Sequence, residues 1–203
     1  MNKRIELHQL QTLLKRIVKL GYESPSDITE SERPDFLVTI SGQRIGIETT
    51  ASVYQEHVRA SKLHLKQCPN QCIDTTHLQD RDQRRSNDEI LADMLNLSSD
   101  WKDSEQAMRD WRDKIASTLE SKRVKLSNPG FSIFDQNWLL IHDEPGLAND
   151  TFTYDRACRH MAALFSTPTA FPRDFDAVFL LSDRYLFRWF QNHLTLNYDQ
   201  HTA

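Results

Sequence analysis

Two strand-length apolar runs, FLVTI at 36–40 and RIGIETT at 44–50, constrain this chain more than any other feature. They are rich in β-branched residues and flank a Gly-containing turn, SGQ, which specifies a β-hairpin. Two later runs, NWLLIHD at 137–143 and DAVFLLS at 176–182, are continuously apolar and not alternating. A strand of that kind is covered on both faces. YLFRWF at 185–190 reads as one further strand, across an SDR turn.

Helical spacing frames these strands. Leu10, Leu13, Leu14, Ile17 and Val18 predict a helix over 5–20, stopped at Gly21. Trp111, Ile115, Leu119 and Leu126 predict a second over 103–126, ended by NPG at 128–130, and a third is expected near 154–165. Residues 22–33 read as a polar link, and the tail after 190 as frayed. Residues 51–100 are polar without a steady period, which predicts an insertion of loops and one or two short helices. The order helix, hairpin, insertion, helix, strand, helix, strand pair describes one domain over 1–203. Its class is an α/β or α+β sandwich with a mixed β-sheet flanked by helices.

Composition narrows the function classes. At 203 residues, 38% apolar and 27% charged, the chain suits one soluble domain with a sizeable core. No run of 18 apolar residues provides a membrane span, and the amphipathic start lacks the apolar core of a signal peptide. Three cysteines, an odd number, fit a reducing cytoplasm better than a disulfide framework. The net charge of −4 argues against a broad nucleic-acid-coating surface while leaving room for a local basic groove. With five glycines in the whole chain, a phosphate-cradling P-loop is not expected. HLKQCPNQC sets His64, Cys68 and Cys72 four apart, with His77 beyond, but Pro69 breaks the helix that such a zinc spacing needs. The aromatics of YLFRWF are read as core and not as base-stacking residues.

The chemistry lies in the hairpin. Asp35 stands at the start of its first strand and Glu48 interrupts the second, where the apolar pattern says that core begins. A charged, unpaired carboxylate there costs several kcal/mol. Pairing around the turn brings Asp35 beside Glu48, and two close carboxylates repel unless a proton or a cation intervenes. Two carboxylates with the carbonyl of Thr49 and water form an oxygen set suited to Mg²⁺, with Mn²⁺ as a substitute. The plain alternative is a hairpin whose acids cap turns or pair with arginine. Glu6 shares the core-facing stripe of the first helix with Leu10, Leu13 and Ile17, where the plain reading is an acid favoured by the helix dipole. Lys122 continues the stripe of Ile115 and Leu119, where its ammonium can snorkel to the edge. Lys125 is the weaker lysine. Arg44 is a phosphate-contact candidate, and Glu23, Glu30 and Glu32 are rival acids.

Pro34-Asp35, twelve residues, then Glu48-x-Thr50 resembles the PD-(D/E)XK nuclease superfamily, and the wording PDF…G…IGIE-x-T resembles a bacterial branch of it. NWLLIHD and FDAVFLLSDRYLFRW are similar to that branch too, so the resemblance spans the chain apart from 51–100 and the tail. It implies an α/β, restriction-endonuclease-like three-layer core. It also implies a metal-dependent endonuclease hydrolysing DNA phosphodiester bonds, with Mg²⁺ on Asp35, Glu48 and Thr49 and with Glu6 assisting. The superfamily keeps a lysine two residues after the second acid, where this chain has Thr50. Related folds move that lysine to a helix, which makes Lys122 the catalytic candidate. The expected partner is nucleic acid, with a homodimer or a protein partner to compensate for the small basic surface. Thr50 equally supports a catalytically inactive member serving as a binding or assembly module.

Overall fold

Side chains alternate across a strand, so a strand apolar at every position needs packing above and below it. The Gln136–His142 strand shows this directly. Trp138 and Leu140 face one core, Leu139 and Ile141 the other, and all four are buried. The computed structural model describes residues 3–53, 55–67, 85–95, 104–143, 154–166, 171–182, 185–190 and 193–198. Among these the chain forms an α/β protein of five helices and one mixed seven-stranded sheet. In chain order the elements are α1 (Lys3–Lys19), β1 (Asp27–Glu30), β2 (Phe36–Ile40), β3 (Gln43–Ala51), α2 (Gln55–Gln67) and α3 (Asn87–Leu95). There follow α4 (Ser104–Leu126), β4 (Gln136–His142), α5 (Tyr154–Ser166), β5 (Ala177–Leu181), β6 (Tyr185–Phe190) and β7 (His193–Tyr198).

The strands lie side by side in chain order. Only β3–β4 and β4–β5 pair parallel; the flanking pairs are antiparallel. Each parallel step needs a crossover, and two right-handed crossovers stepping in one direction put their helices on one face. Accordingly α4 and α5 share a core with Leu139, Ile141, Val178 and Leu180. α1 covers the other face through Leu10, Leu13, Leu14 and Ile17. Each such fully buried side chain contributes about 1.5–3 kcal/mol. No helix among the described residues is long and apolar enough to cross a membrane.

Local chemistry explains the boundaries. α1 ends with Tyr22 N–H on the Ile17 carbonyl and Gly21 N–H on that of Val18, a Schellman pair. The β2–β3 turn has positive φ at both Ser41 and Gly42, the two-residue turn that matches strand twist and that glycine relieves. At Gly46 the constraint is space: a Cβ there would meet Phe134 Cδ2 at 2.7 Å and Pro34 Cγ at 2.8 Å.

Two sequence expectations need correcting. The link at 22–33 contains β1, which pairs with β2 although all four of its residues are exposed. Such a strand carries no apolar alternation, so its ladder to β2 alone defines it. The tail after 190 is not frayed throughout, because β7 pairs with β6 over 193–198. Its HLTLNY does alternate, so the period-two signal was present. Within 51–100, α2 and α3 pack through Ala60, Leu63, Ile90 and Met94. Arg85 ties them by pairing with Glu56 at 2.5 Å and Asp93 at 2.6 Å. Of the zinc candidates, His64 is on α2, whereas Cys68, Cys72 and His77 lie outside the described residues.

Candidate active site

β3 is longer than its antiparallel partner. The β2 ladder stops at Phe36 opposite Ile47, while β4 accompanies β3 as far as Ala51. Past Ile47, the edge of β3 that faced β2 has no strand beside it among the described residues. A residue's N–H and C=O leave a strand on the same side, so Thr49 presents both groups at this edge. Asp35 Oδ2 accepts the Thr49 N–H at 2.8 Å and its Oγ1 hydroxyl at 3.1 Å. The ammonium of Lys122 donates to the Thr49 carbonyl at 3.0 Å and to Glu48 Oε1 at 2.5 Å.

The two acids approach Thr49 from different layers. Thr49 shares the strand parity of Ile45 and Ile47 and so faces α1, and Asp35 reaches its hydroxyl there. Glu48 faces the α4 side, opposite Leu139 in β4. Glu48 is 7% exposed and Lys122 8%, so this pair is largely out of water. Lys122 gets there because it stands between Leu119 and Leu126 on the buried stripe of α4, its stem lying along apolar neighbours.

On the α1 side the partner is a residue that the sequence reading did not single out. Lys3 Nζ lies 3.1 Å from Asp35 Oδ1 and 3.4 Å from Glu6 Oε2, donates to the Ser31 carbonyl at 3.3 Å, and stands 5.2 Å above the Phe36 ring. Partial burial pulls its pKa down; the hydrogen bond and attraction to Asp35, with those of Glu6, outweigh this and hold it above the ordinary lysine value. One polar chain thus runs Glu6–Lys3–Asp35–Thr49–Lys122–Glu48. Of the candidates from the sequence it contains Glu6, Asp35, Glu48, Thr49 and Lys122, with Lys3 as the unforeseen link. The i,i+3 spacing of Lys3 and Glu6 on α1 was a local cue to this lysine, whereas its partner Asp35 is 32 residues away and carries none.

The other candidates lie elsewhere. Arg44 is near the far end of β3, its guanidinium over the Phe134 ring at 5.2 Å. Lys125, in the last turn of α4, is exposed, as are Glu23, Glu30 and Glu32. A second buried group stands where β4 ends. Asp143 Oδ2 accepts from Trp111 Nε1 at 2.8 Å and, in a very short bond, from the Tyr185 hydroxyl. Burial pushes the Asp143 carboxyl above the usual carboxylate range, against the pull of Tyr185 and Trp111. Burial, with the neighbouring Asp143, also pushes the Tyr185 hydroxyl well above its ordinary value. These bonds fasten α4 and β6 to the end of β4. The sequence cue was an acid directly after a continuous apolar strand.

The oxygens around Thr49 are of the kind that a hard divalent cation takes, although Asp35 and Glu48 reach Thr49 from opposite faces of β3, where the hairpin pattern predicted them side by side. They are two carboxylates and a main-chain carbonyl, with the Lys122 ammonium against two of the three as a positive stand-in. Among the described residues no three His, Cys, Asp or Glu side chains converge as a metal-binding group. An ion at this edge would therefore rest on two carboxylates, the carbonyl and water, which is how Mg²⁺ is often held. Compared with protein-family models, curated proteins and solved structures, the chain matches none.

Proposed function

We propose that the chain is a divalent-metal-dependent endonuclease with a restriction-endonuclease-like three-layer core of the PD-(D/E)XK type, hydrolysing DNA phosphodiester bonds. The observation that carries this reading is the lysine. Where the resemblance calls for a cation and the sequence has Thr50, Lys122 brings one from α4, 2.5 Å from Glu48 and 3.0 Å from the Thr49 carbonyl.

Asp35, Glu48 and the Thr49 carbonyl would hold Mg²⁺ or Mn²⁺, with Glu6 behind Lys3 adding negative charge. When bound, such an ion supplies Lewis-acid polarisation of a phosphate oxygen and a water of lowered pKa. The rest falls to the chain. Asp35 Oδ2 accepts two bonds from Thr49, which hold its carboxylate at this edge of β3. The Lys122 ammonium, fixed in a site of low water content, stabilises charge developing on an attacking oxygen and on the phosphoryl group. One such centre cuts one strand, so opposed cuts in a duplex call for a two-fold pair of chains.

A second reading has its own observation. Lys122 and Lys3 already engage oxygens that an ion would need, and a chain that keeps those pairs permanently serves as a binding or assembly module. Nicking of supercoiled plasmid with Mg²⁺ or Mn²⁺ separates the two. The nuclease reading expects cleavage by the wild type, lost in Asp35→Ala and in Glu48→Ala and strongly reduced in Lys122→Met. No cleavage by the wild type, or cleavage that survives both acid substitutions, supports the module instead.

A further inference from the structure

The two lysines of the site are held very differently. Lys122 is buried along its stem and has little water to retreat into. Lys3 is on the first turn of α1 with its side chain 45% exposed, so its ammonium can swing into solvent at small cost. Asp35 is divided in the same way. Its Oδ2 is fixed by the N–H and hydroxyl of Thr49, one of them main chain, whereas the partner at Oδ1 is Lys3. A cation that needs an Asp35 oxygen therefore gains it most readily at Oδ1, once Lys3 has moved.

We propose that Lys3 is an exchangeable internal counter-ion: a divalent cation enters the site by displacing its ammonium from Asp35 and Glu6, so Lys3 sets the cation affinity. This rests on the proposed metal site and adds a residue to it. In the metal-free chain Lys3 lessens the repulsion between Glu6 and Asp35, which keeps the acids in place without an ion. For the entering ion it is a tethered competitor carrying positive charge at the mouth of the site.

The test is Mn²⁺ binding to the full chain by titration calorimetry, for wild type, Lys3→Met, Lys3→Gln and Lys15→Met. Lys15 is exposed on α1 outside the polar chain, so its removal takes away the same charge and reports the general electrostatic effect. Lys3→Met and Lys3→Gln are expected to bind Mn²⁺ about 1.5- to 5-fold more tightly than wild type, the range that loss of a partly exposed ion pair gives. Lys15→Met is expected to change affinity by less than half as much. Adding Asp35→Asn to Lys3→Met removes the gain. Equal or weaker binding by both Lys3 variants overturns the proposal, as does an equal gain in Lys15→Met or a lack of Mn²⁺ binding in every variant. The two ideas fail separately. A tightened Lys3→Met that cuts no plasmid leaves the exchange standing without a nuclease. A cutting wild type whose Mn²⁺ affinity ignores Lys3 leaves the nuclease without the exchange.

Discussion

Lys122→Met keeps the length and apolar stem of the side chain and removes only its ammonium. What remains is the Glu48 carboxylate, 7% exposed, without the cation 2.5 Å away, and a Thr49 carbonyl without its donor. Taking one partner from a buried pair costs about 3–5 kcal/mol, because the other charge stays desolvated. A chain of this size loses roughly 2–4 °C of melting temperature per kcal/mol, so the midpoint should fall by about 6–20 °C. The double variant Lys122→Met/Glu48→Met removes both charges and should recover most of that loss, since an apolar replacement of a whole buried pair is often neutral or stabilising. Urea unfolding of wild type, both single variants and the double variant gives the coupling energy as a double-mutant cycle. A single-variant loss below about 1 kcal/mol, or a double variant no more stable than Lys122→Met, refutes the account of a desolvated pair.

Two further perturbations probe the surroundings of the site. Gly46→Ala pushes a methyl group into Phe134 and Pro34, which flank the hairpin beside Asp35, and is expected to cost about 1–3 kcal/mol in urea unfolding; an unchanged midpoint would mean that both rings draw back freely. Asp143→Asn tests the group at the end of β4. The folded-state pKa of Asp143 is raised, so its proton is bound more tightly in the folded chain. The stability this gives is full below the ordinary carboxylate range and is lost as pH rises through the folded value. The amide keeps an acceptor for Trp111 and Tyr185 and does not titrate, so wild type should lose stability relative to Asp143→Asn as pH rises from about 4. Parallel pH profiles for the two proteins would refute that assignment.

The sequence alone settled whatever depends on near neighbours. The 3.6 period set α1 and α4, continuous apolar runs set β4 and β5, and Ser41-Gly42 set the hairpin. It also put an acid in an apolar strand at Glu48 and a lysine in an apolar stripe at Lys122, and each of those needs a distant partner in order to be tolerated. Tertiary structure decided which partner. Lys122 and Glu48 are 74 residues apart, Lys3 and Asp35 are 32, and no short-range period links either pair. β1 leaves no pattern in the sequence because a wholly exposed edge strand exists only through its ladder to β2, while β7 carries a period-two alternation. Local pattern fixes which side chains turn inward. Only the packing of α1 and α4 against opposite faces of the sheet fixed which inward-turned charges meet, since burial leaves a charged group little choice but a partner of opposite sign.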